Sequence, residues 1–97
     1  MMLHIVNERV ECDVFFQRIA KGDALIFVGS AVLCLHSNAQ NADQLKQCLQ
    51  NFQCYVLEPD LLARGLAQDE IIADIKPVDY SGFVTLTIEH EVIKAWN

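Results

Sequence analysis

Residues 24–28, Ala-Leu-Ile-Phe-Val, are apolar at every position and are bounded by Lys21 and Gly22 on one side and by Gly29 and Ser30 on the other. The run has a strand's length, and no polar residue interrupts it to mark a solvated face. Such a strand belongs inside a parallel sheet covered on both sides, since a half-exposed hairpin strand would alternate apolar with polar residues. A second run, Cys54, Tyr55, Val56 and Leu57, carries the same signal. Parallel neighbours cannot be joined by tight turns, so the segments between these runs must be crossovers, and helices are the usual solution.

The rest of the chain supplies them. Leu3, Ile5 and Val6 read as a first short strand and residues 7–11 as a polar loop. Val14, Phe15, Arg18 and Ile19 then recur at helical spacing up to a stop at Lys21 and Gly22. Residues 31–35 can continue from Gly29 and Ser30 as a short helix, and Leu45, Cys48, Leu49 and Phe52 lie on one helical stripe. Pro59 at a first helical position and Gly65 past the end frame one or two further turns, with Arg64 beside the helix C-terminus. Residues 68–72 can add another turn. Residues 75–78 read as a fourth strand, in which Pro77 requires that its missing donor lie at an end or an edge.

Residues 80–88 fit two patterns. Val84, Leu86 and Ile88 alternate with Thr85 and Thr87 as in a strand, while Tyr80, Phe83, Val84, Thr87 and Ile88 follow a helical face with Asp79 as N-cap. The helix is the reading taken here, which leaves residues 92–96 as a fifth strand. The expected architecture is α/β: a three-layer, mostly parallel five-stranded sheet with helices on both faces, formed by right-handed crossovers in one domain spanning residues 1–97. Ligands and partners of such sheets meet the carboxyl ends of the strands, here Gly29 and Ser30, Glu58 and Pro59, and Asp79 and Tyr80.

Composition narrows the function. A net charge of −6 with only seven Lys and Arg repels a phosphate backbone, so direct nucleic-acid binding is not expected. No apolar run approaches the roughly 18 residues of a membrane span. The start, Met1-Met2-Leu3-His4, lacks the features of a secretion signal, so cytoplasm is the expected location and the four cysteines are read as free thiols. His4, His36 and His90 form no zinc pattern with them, and no Gly-rich phosphate loop or serine-hydrolase elbow is present, so no metal or cofactor is expected. Gly29 and Ser30 could cradle an anion but read as an ordinary strand exit, and Trp96 reads as a packing residue.

Three stretches carry a family resemblance: the opening Leu3-His4 before a polar loop, the segment 55–66 (YVLEPDLLARGL), and the segment 78–84 (VDYSGFV) closing on Ala95-Trp96. Together they resemble the DsrH/TusB proteins of the wider DsrE-like group over nearly the whole chain, residues 29–51 carrying least of it. The resemblance implies a Rossmann- or flavodoxin-like DsrE fold. It also implies a non-catalytic or accessory role in a heteromeric sulfur-relay complex beside two related DsrE/DsrF-like (TusD/TusC-like) subunits, with a small sulfur carrier upstream. In one branch of the family the sulfur goes to 2-thiolation of the tRNA wobble uridine; in the other it is moved during dissimilatory sulfur oxidation. Alone, the chain is expected to be capable of self-association.

A persulfide carrier needs an exposed thiolate stabilised by a helix N-terminus or a cation. Cys48 on its apolar stripe and Cys54 inside a covered strand read as core. Cys34 stands in an apolar run, two residues from His36, so a core role and a weaker reactive role stand side by side. Cys12 is the leading persulfide candidate because it precedes the first helical face, although Glu11 and Asp13 beside it disfavour a thiolate. Sulfur-oxidiser members of the family carry a cysteine in this first helix. Counted back from Lys21 and Gly22, that position falls near Phe15, about one turn beyond Cys12, so an inert exposed thiol stands as the alternative.

Overall fold

The computed structural model describes residues 2–7, 22–36, 42–72, 75–90 and 92–96, and of residues 34, 42, 44, 45, 48 and 92–96 the backbone. Strands β1 (Met2–Val6), β2 (Ala24–Phe27), β3 (Gln53–Leu57), β4 (Lys76–Val78) and β5 (Val92–Trp96) form one sheet in the order β4-β3-β2-β1-β5. Every neighbouring pair is parallel. The first helical face expected from the sequence, residues 14–19, lies outside the described residues.

β2 shows why an uninterrupted apolar run was needed. Leu25 and Phe27 enter one buried cluster, with Val6, Val56, Leu35, Leu49 and Leu61. Ala24 and Ile26 enter another, with Leu3, Leu57 and Leu86. Successive strand residues point to opposite faces, so the two clusters are two cores on either side of the sheet. The connections explain the division. From β1 to β4 the chain steps one way across the sheet, and from β4 to β5 it returns beyond β1. Right-handed crossovers put these two kinds of connection on opposite faces. Accordingly the 3₁₀ helix Gly29–Leu35, α1 (Ala42–Leu49) and α2 (Glu58–Ala63) contribute to the first core, and α3 (Tyr80–Glu89) contributes Phe83 and Leu86 to the second.

Two local outcomes refine the sequence reading. The segment after β2 is a 3₁₀ helix beginning at Gly29, whose φ of 57° is left-handed. α2 ends in a Schellman arrangement: the N–H of Gly65 (φ 74°) donates to Leu62 O at 3.0 Å, and that of Leu66 donates to Leu61 O at 3.1 Å. Leu66 packs on the core that contains Leu61, which is the apolar contact this motif carries. β4 lies at a sheet edge, where the missing donor of Pro77 breaks no ladder on its outer side.

Candidate functional site

The carboxyl ends of the strands bring Asn7, Gly29, Ser30, Glu58, Asp60, Asp79 and Tyr80 to one rim. The chain turns towards one face after β3 and towards the other after β4, which makes the gap between Leu57 and Val78 a topological switch point. The rim is acidic, and two of its carboxylates are already engaged. Asp60 Oδ2 accepts from the Gly29 amide at 2.7 Å, and Asp79 Oδ1 accepts from the Gly82 amide at 2.7 Å. Ser30 Oγ donates to Asn7 O at 3.3 Å, and the Val28 amide donates to Val6 O at 2.9 Å. An anion cradle at Gly29 is thus filled by the chain's own carboxylate. The fit is also tight: a Cβ at Gly29 would lie 2.5 Å from Asn7 Oδ1.

The cysteines divide by what is described. Cys54, near the start of β3, is buried, with its thiol 3.6 Å from Leu49 O and 3.7 Å from Phe52 O. Burial pushes its pKa up to about 12, so it holds its proton at neutral pH. Such a thiol packs as a small apolar group and does not attack sulfur. Cys12 lies outside the described residues, and so do the side chains of Cys34 and Cys48, although the backbone of Cys34 runs in the 3₁₀ helix and that of Cys48 in α1.

The histidines are dispersed. His4 Nε2 lies 3.0 Å from Asp23 Oδ2 in a buried pair that ties β1 to the residue before β2, and the Met2 amide donates to Asp23 Oδ1 at 3.2 Å. His36 Nε2 lies 3.9 Å from Glu70 Oε2, and His90 Nδ1 is 2.7 Å from Leu86 O at the end of α3. Among the described residues no group of three His, Cys, Asp or Glu could hold a metal ion.

α3 presents a different kind of surface. Its inner side supplies Phe83 and Leu86 to the core, while Tyr80, Val84 and Ile88, four residues apart, are 61%, 56% and 78% exposed. The hydroxyls of Thr85 and Thr87 donate back to the helix, to Ser81 O at 3.0 Å and Val84 O at 2.6 Å. The helix therefore carries an apolar stripe on the side facing away from its own sheet. The sequence contained these three residues in its helical pattern together with Phe83, and periodicity alone cannot tell which of them are covered. Among the described residues no helix is long and apolar enough to cross a membrane.

Comparison with known proteins agrees with this architecture. The ychN protein from E. coli superposes with a TM-score of 0.76 at 13% identity, covering 98% of both chains. A Methanobacterium thermoautotrophicum protein of unknown function superposes with a TM-score of 0.71 at 10% identity, again covering 98% of both. These likenesses establish the fold, which is DsrE-like. In sequence, the chain is 35% identical to Protein TusB of Shigella flexneri over 98% of its own length and 100% of that protein. Protein TusB of Escherichia coli matches to the same extent. The model of the DsrH-like protein family matches residues 6–93, and with relatives alike from end to end the chain belongs to the DsrH family.

Proposed function

We propose that this chain is an accessory, non-catalytic subunit of a heteromeric sulfur-relay complex in the cytoplasm, serving 2-thiolation of the tRNA wobble uridine. Its partners are two related DsrE/DsrF-like subunits, one of which bears the reacting persulfide, with a small sulfur carrier delivering to them. Full-length similarity to TusB proteins supports the pathway. The observation that carries the accessory role is the chemistry of the strand ends. The rim where an α/β fold would place a reacting group holds carboxylates bonded to backbone amides, and the thiol of Cys54 is buried and protonated. An acidic chain of net charge −6 also gains nothing from a polyanionic tRNA, so its partners hold the RNA.

The test is co-expression with the two related subunits proposed as its partners, followed by size-exclusion chromatography. One peak containing all three chains is expected. Three chains eluting separately would end the proposal.

A further inference from the structure

We draw no further inference here: the strongest candidate, the outward apolar stripe of Tyr80, Val84 and Ile88 on α3, carries none because nothing in the structure shows what covers it.

Discussion

The thiol of Cys54 behaves as part of the core, and its acidity gives that statement a measurable form. In the folded chain it stays protonated up to a pKa of about 12, whereas freed by unfolding it ionises near 9. Its contribution to stability is therefore complete below about pH 9 and is lost as the pH climbs from about 9 to about 12. Between about pH 8 and about pH 10, the wild-type urea midpoint should fall by more than that of Cys54→Ala; equal falls would show a thiol that ionises freely in the fold. The burial of Cys54 was legible because its neighbours in the strand are apolar. The Asp60–Gly29 hydrogen bond was not, since it joins positions 31 residues apart and Asp60 reads locally as one more acid in the first turn of a helix.

At the scale of elements, α3 shows how a cap can decide between two periodicities. Val84, Thr85, Thr87 and Ile88 are strand formers, and their alternation would suit a strand. Asp79, accepting from the Gly82 amide, starts a helix, and Phe83 and Leu86 hold it against the sheet. Asp79→Ala should cost about 1 kcal/mol in chemical denaturation and Asp79→Asn far less, because asparagine caps equally well. An alanine variant as stable as wild type would show that packing alone holds the helix. The type of the segment after β2 escaped the sequence reading for a related reason. Its geometry is set by the left-handed Gly29 and the remote Asp60, and neither leaves a periodic signal in residues 29–35.

For the whole molecule, parallel strands covered on both sides followed from two apolar runs and the crossovers they require, and Pro77 marked β4 as an edge. The order of strands did not follow. No residue of β5 states that it pairs with β1 rather than β4; the long return over the sheet is fixed by where α3 finds a face to bury. The result is an acidic α/β platform with Asp60 and Asp79 at its rim engaged, its one described thiol buried, and α3 showing apolar residues outward. In the role proposed here, sulfur moves through the assembly without forming a bond to this chain. In a strain lacking the gene, the 2-thiouridine content of tRNA after complementation with a chain carrying Cys12→Ser and Cys34→Ser measures that directly. Wild-type thiolation is expected; loss of thiolation with the three-subunit complex still intact would contradict the accessory role.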